Sequence, residues 1–135
     1  GTYTYSGEAQ EPGKGDTTQV QVTLDNIPVD LSEYTLEYAN NTVAAEASSN
    51  TAPKVTVKAI ADGNYTGTVS KTFTILRKPL TVTAENKKVT YKEDAPEFTA
   101  VYDGFVGEET LAGVGGTISF LCEYENGSPV GDYEI

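Results

Sequence analysis

The sequence predicts an all-β chain built as two small β-sandwiches in tandem, and three observations carry this. Apolar residues alternate with polar ones at a period of two, and no stretch shows a convincing helical period. Turn-forming pairs fall between the alternating runs: Pro12-Gly13, Asp25-Asn26, Asn40-Asn41, Asp62-Gly63-Asn64, Asp103-Gly104, Gly115-Gly116 and Asn126-Gly127. Charge changes partway along. Residues 1–78 carry nine acids and six bases, whereas residues 79–135 carry eleven acids and three bases, which places a boundary near residue 78.

The elements follow in order. Val20, Val22 and Leu24 alternate with Gln19, Gln21 and Thr23 as one half-buried strand. Tyr34, Leu36 and Tyr38 form the next, then Val55, Val57 and Ala59 between Lys54, Thr56 and Lys58. Phe73 and Ile75 close the first unit, and Asp62-Gly63-Asn64 is the expected hairpin turn between residues 53–61 and 67–76. In the second unit Leu80 and Val82 read as a strand, as do Phe98, Ala100 and Tyr102, and then Ile118, Phe120, Cys122 and Tyr124. Short strands at this spacing suit sandwiches. Between the units no Gly/Ser stretch intervenes, and Pro79 fixes its own φ and holds Lys78 extended. The joint is expected to be short and semi-rigid.

Composition excludes several functions. The net charge of −11 disfavours nucleic acid and anionic membrane, both of which are met with Lys and Arg. Histidine is absent, removing the commonest general base and a common metal ligand. Cys122 is the only cysteine, so it can form neither an internal disulfide nor a thiolate cluster. It shares a face with Ile118, Phe120 and Tyr124 and reads as a small core hydrophobe. No apolar run is long enough to span a bilayer, so membrane insertion is not expected.

Two sets of residues carry a family resemblance. Residues 1–78 resemble a bacterial Ig-like repeat of large surface proteins through Tyr5-Ser6-Gly7, Pro12, Tyr34, Tyr38-Ala39-Asn40-Asn41 and the run from Gly63 to Ile75. Residues 79–135 resemble the "mostly bacterial Ig-like" (MBG) domain through Leu80-Thr81-Val82-Thr83-Ala84, Tyr91, Pro96, Phe98-Thr99, Tyr102-Asp103-Gly104-Phe105-Val106, Gly107-Glu108 and the run from Val130 to Ile135. The resemblance implies two small Ig-like β-sandwiches in tandem, extracellular (cell-surface or secreted) and non-catalytic. The family usually has Tyr-Gly where this chain has Tyr91-Lys92. The second unit also lacks the closing Asn-Tyr…Thr-Ile segment. It is therefore expected to be a smaller variant, or to be completed by a neighbouring molecule at an unpaired edge.

Several constellations invite chemistry, and each has a plainer reading. Glu93-Asp94 and Glu108-Glu109 could supply an acid and a base for glycoside hydrolysis, but they lie in polar, loop-like sequence and read as solvated surface. Asp25-Asn26 with Asp30, and Asp62-Gly63-Asn64, hold hard oxygen ligands for calcium without the spacing of an EF-hand. Lys71 shares by alternation the face of Val69, Phe73 and Ile75. A buried lysine there could condense with Asn or Asp to crosslink the sandwich, whereas a bulge or an edge position would turn it to solvent. Tyr65 is expected to fold over the sandwich end and cap a backbone group. Asn40-Asn41-Thr42, Asn64-Tyr65-Thr66 and Asn126-Gly127-Ser128 fit the glycosylation sequon but read as turns.

No catalytic residue, cofactor or metal site is expected. The leading function is a spacer or stalk whose partners are neighbouring Ig-like repeats, with self-association at an edge strand as a further contact. The alternative is an adhesion or accessory module that binds carbohydrate or a host protein through loops or an exposed edge.

Overall fold

Tyr34–Ala39 (strand β4), Lys54–Ala59 (β5) and Thr68–Thr72 (β6) are the best-patterned runs of the chain, and they form its largest sheet, antiparallel in the order β4-β5-β6. The computed structural model describes residues 1–16 and 18–135. These divide into two units, Gly1–Lys78 and Pro79–Ile135. The fold is all-β with several small sheets, of the Ig-like β-sandwich type; a single 3-10 turn, Leu31–Glu33, is the only helical element among the described residues.

In the first unit the run expected as one strand over residues 67–76 breaks at Phe73. Thr72 still pairs with Lys54 of β5, and the Phe73 amide donates to the Pro53 carbonyl at 2.9 Å. Thr74–Leu76 (β7) then pairs in parallel with Thr2–Thr4 (β1). One segment thus serves two sheets, a recurrent way to turn a sandwich corner. Ile75 is bridged to Ala45 on its other side, so both edges of β7 are covered there and Ile75 is only 2% exposed. Phe73 is 3% exposed, packed edge-to-face on Tyr3 at 5.4 Å. With Tyr34, Ala52, Pro53 and Val55 these side chains make the core of the unit. Burying a residue such as Phe73 or Ile75 contributes about 1.5–3 kcal/mol.

The strand expected over Val20–Leu24 pairs only at its end. Thr23–Leu24 (β2) and Ile27–Pro28 (β3) form a hairpin joined by Asp25 and Asn26, at φ 50° and 66°. Two consecutive positive φ values make the type I′ turn that matches strand twist. Val20 leaves the ladder because it packs on the Pro12-Gly13 turn instead. A Cβ on Gly13 would lie 2.6 Å from that of Val20, and Gly13 sits at φ 84°, so only glycine fits.

The second unit holds two strands, Thr81–Ala84 (β8) and Ala100–Asp103 (β9), paired antiparallel. The Glu85 amide extends the ladder to the Thr99 carbonyl at 2.9 Å. Gly104 follows β9 at φ 118°, and its missing Cβ admits the Pro79 carbonyl oxygen, which would be 2.2 Å away. The strand expected at Ile118–Tyr124 does not form. The alternation holds from Phe120, with Phe120, Cys122 and Tyr124 half-buried and Ile118 exposed, but no neighbouring strand supplies a ladder. For the same reason Cys122 is half-buried rather than a core thiol.

Candidate functional site

The second unit carries a groove of about 610 Å³ whose walls include Lys88, Val89, Tyr91, Pro96, Phe98, Cys122, Tyr124 and Tyr133. Its aromatic groups are largely committed to one another and to the backbone. Tyr124 and Tyr133 meet edge-to-face at 5.3 Å. The Tyr124 hydroxyl donates to the Glu93 carbonyl at 2.8 Å, and the Tyr133 hydroxyl donates to the Pro129 carbonyl at 2.7 Å. Lys87, also on the groove, reaches the Glu85 carboxylate at 3.4 Å. The Thr99 hydroxyl donates to that carboxylate, and this bond, reinforced by Lys87, holds the Glu85 carboxyl below its ordinary value. The groove is shaped by satisfied polar groups and lined by rings, which suits contact rather than proton transfer.

Of the carboxylates considered as acid–base pairs, Glu93 and Glu109 close turns. The Glu93 carboxylate accepts from the Thr90 amide at 3.1 Å while the Glu93 amide donates back to the Thr90 carbonyl at 3.0 Å. Glu109 and Val106 repeat this reciprocal pairing at 3.0 and 3.2 Å. Asp94 accepts from the Asn126 amide group at 3.0 Å. At Glu93 and Glu109 the side chain and the amide of one residue both serve the backbone three residues earlier, whereas Asp94 ties a distant side chain.

The oxygen ligands considered for calcium are similarly placed. Asp25 and Asn26 form the β2–β3 turn. Asp30 caps the 3-10 turn, accepting from the Ser32 amide at 2.9 Å and hydroxyl at 2.6 Å, and these two bonds lower its carboxyl pKa. Asn64 donates through its side chain and its backbone amide to the Glu33 carboxylate, at 2.8 and 3.2 Å. Among the described residues no group of three His, Cys, Asp or Glu side chains is placed to hold a metal.

Of the two readings of Lys71 the structure takes the edge position, and the Tyr65 cap is the expectation that needs correction. Lys71 lies opposite Val55 on β6, an edge strand exposed along its whole length, and no ion pair or hydrogen bond reaches its ammonium group among the described residues. A crosslinking lysine must be desolvated against its partner, and this one is hydrated at an edge. Tyr65 is 39% exposed, and among the described residues no hydrogen bond from its hydroxyl anchors the sandwich end. That end is tied by Glu33 and Asn64 instead. Tyr38 supplies the buried-side anchor, its hydroxyl donating to the Pro12 carbonyl at 2.9 Å across 26 residues. Partial burial, then the nearby Glu11 charge, raises the Tyr38 pKa. Neither the Tyr38–Pro12 nor the Glu33–Asn64 bond has a local sequence signal. The three sequon asparagines spend their side-chain amides within the protein: Asn40 on the Ala52 carbonyl, Asn64 on Glu33 and Asn126 on Asp94.

The family model of the MBG domain (YGX type) matches residues 80–135. No curated protein and no solved structure matches the chain. At the Tyr-Gly position stands Tyr91-Lys92, and Lys92 adopts φ 68°. Among the described residues the other four non-glycine residues with positive φ are Asp or Asn, which tolerate the left-handed region, and Lys92 is the exception. Lys92 thus holds a backbone conformation that glycine adopts more readily. Its ammonium group lies 5.4 Å from the Tyr91 ring centroid, a cation–π contact that offsets part of the strain.

Proposed function

We propose, from the match of residues 80–135 to the MBG domain family, that the chain is a structural spacer or stalk segment of a bacterial surface protein. In this reading residues 1–78 are a bacterial Ig-like repeat, residues 79–135 are the MBG domain that follows it, and both stand outside the cell. The carrying observation is the family match, since MBG domains are non-catalytic, repeat-type modules typical of bacterial surface proteins. The junction supports it. Strand β7 ends at Leu76 and β8 begins at Thr81, leaving a short connection that contains Pro79. A proline-bearing joint of this length resists bending more than a Gly/Ser tether does. No helix among the described residues is long and apolar enough to cross a membrane.

Spin labels at Glu37→Cys and Glu108→Cys, in a Cys122→Ser background, test the reading. One narrow distance distribution is expected, broadened when a Gly-Ser insert is placed between Lys78 and Pro79. A distribution already as broad without the insert would argue for a flexible tether and return weight to the adhesion reading.

A further inference from the structure

We propose that residues 117–124 form an acceptor edge for an extended strand of another polypeptide, one that presents an apolar residue and, two positions on, a Lys or Arg. The segment has the pattern of a strand without the pairing of one. Phe120, Cys122 and Tyr124 are half-buried on the unit, whereas Leu121 is 86% exposed and Glu123 is exposed. No residue of 117–124 enters a ladder, and no backbone–backbone hydrogen bond involves this stretch among the described residues. One face is therefore already seated while the peptide groups remain open. A partner strand would gain a ladder with little further ordering of the acceptor, the physics of strand addition.

Charge selects the occupant. The outward face runs Ser119, Leu121, Glu123, Glu125, and residues 117–135 contain no Lys or Arg. The unit as a whole carries eleven acids against three bases. The same segment of a second copy would bring like charge to the edge, and like charges across a ladder destabilise it. Self-pairing is thus disfavoured, and a cation opposite Glu123 is favoured. Side chains on one face recur every second residue, so the partners of Leu121 and Glu123 lie two apart. The required chemistry is an apolar residue and a Lys or Arg two positions apart, in the order apolar-x-Lys or apolar-x-Arg for a parallel partner. Val69-Ser70-Lys71 of this chain has it: in a parallel register with Val69 opposite Leu121, Lys71 falls opposite Glu123. The inference stands apart from the spacer reading, since an accessory module could carry the same edge.

A fluorescein-labelled peptide of residues 67–77, which holds Lys71 and Arg77 and no acid, is the probe. It is titrated into the 135-residue chain by anisotropy, with amide hydrogen exchange read in parallel. Saturable binding is expected, with slowed exchange at residues 118–123. Leu121→Asp should weaken binding more than about tenfold, and Glu123→Lys roughly five- to tenfold. A Lys71→Glu peptide should recover affinity for the Glu123→Lys protein. Both protein positions are exposed, so the variants keep the wild-type fold, checked by their near-ultraviolet circular dichroism. Absence of binding at millimolar peptide, protection elsewhere in the chain, or no charge-swap recovery would overturn the proposal. So would self-association in sedimentation velocity that slows exchange at residues 118–123 without peptide, because the occupant would then be a second copy.

Discussion

The first unit buries Tyr34, Val55, Phe73 and Ile75 among its strands, while the second, with an equally regular alternation of apolar and polar residues, buries no side chain to the same degree. The difference lies in pairing. Phe73 sits where one segment passes between two sheets, and Ile75 has β1 on one side and Ala45 on the other. Phe98 and Phe120 also meet, at 6.0 Å, but Phe120 lies on a segment with no ladder, and both rings stay half-buried. Alternation prepares a strand face to be covered. The cover comes from a second layer, and the second unit holds only β8 and β9 as strands.

The largest expected effect separates the two rings. Phe73→Ala should cost the first unit about 3–4 kcal/mol, by cavity formation in a buried site, whereas Phe120→Ala should cost the second unit about 1 kcal/mol or less. Urea denaturation followed by residue-resolved NMR signals from each unit checks this, and equal losses would break the comparison. Backbone positions should matter in both. Gly13→Ala forces a Cβ against Val20 at a positive φ, and Gly104→Ala forces one against the Pro79 carbonyl. Each should cost about 2–3 kcal/mol in its own unit. Gly104→Ala should therefore harm the second unit more than Phe120→Ala does.

Smaller effects sharpen the contrast. Tyr38→Phe removes the part-buried bond to Pro12 and should cost the first unit about 1 kcal/mol. Lys92→Gly should stabilise the second unit by about 1 kcal/mol, because relief of left-handed strain outweighs the added freedom of the unfolded glycine. Thermal unfolding of each variant measures both. The smallest effects are in pH. Asp30 and Glu85 have lowered pKa values in the folded chain, so the unfolded chain binds their protons more readily. Their stabilisation is present above the ordinary carboxyl range and is lost as pH falls through the folded values, in one unit each. Tyr38 has a raised pKa, so its contribution holds below about pH 10 and is lost as pH rises through the folded value. Alkali should thus loosen the first unit through Tyr38, and Tyr38→Phe should remove that dependence.

Strands that pair with near neighbours were legible in the sequence. Tyr34–Ala39 and Lys54–Ala59 fall where alternation puts them, and Asp25-Asn26 turns as its composition demands. The break at Phe73 was not legible, because residues 67–76 alternate without interruption and only the position of β1 divides them. The candidate site was legible only in part. The alternation showed which face would be seated over residues 120–124, whereas Ile118, read onto the same face, stays exposed. Alternation could not show that the ladder would be empty, which depends on strands elsewhere. The Glu33–Asn64 tie joins residues 31 apart through side chains that a sequence shows only as polar.

Native-state amide hydrogen exchange, read residue by residue, tests the contrast most directly. The amides of Val55, Val57, Phe73 and Ile75 should exchange slowly, at rates set by opening of the first unit, while those of residues 118–123 should exchange orders of magnitude faster. Slow exchange at residues 118–123 in the isolated chain would contradict an open edge and show that the second unit closes its own sheet.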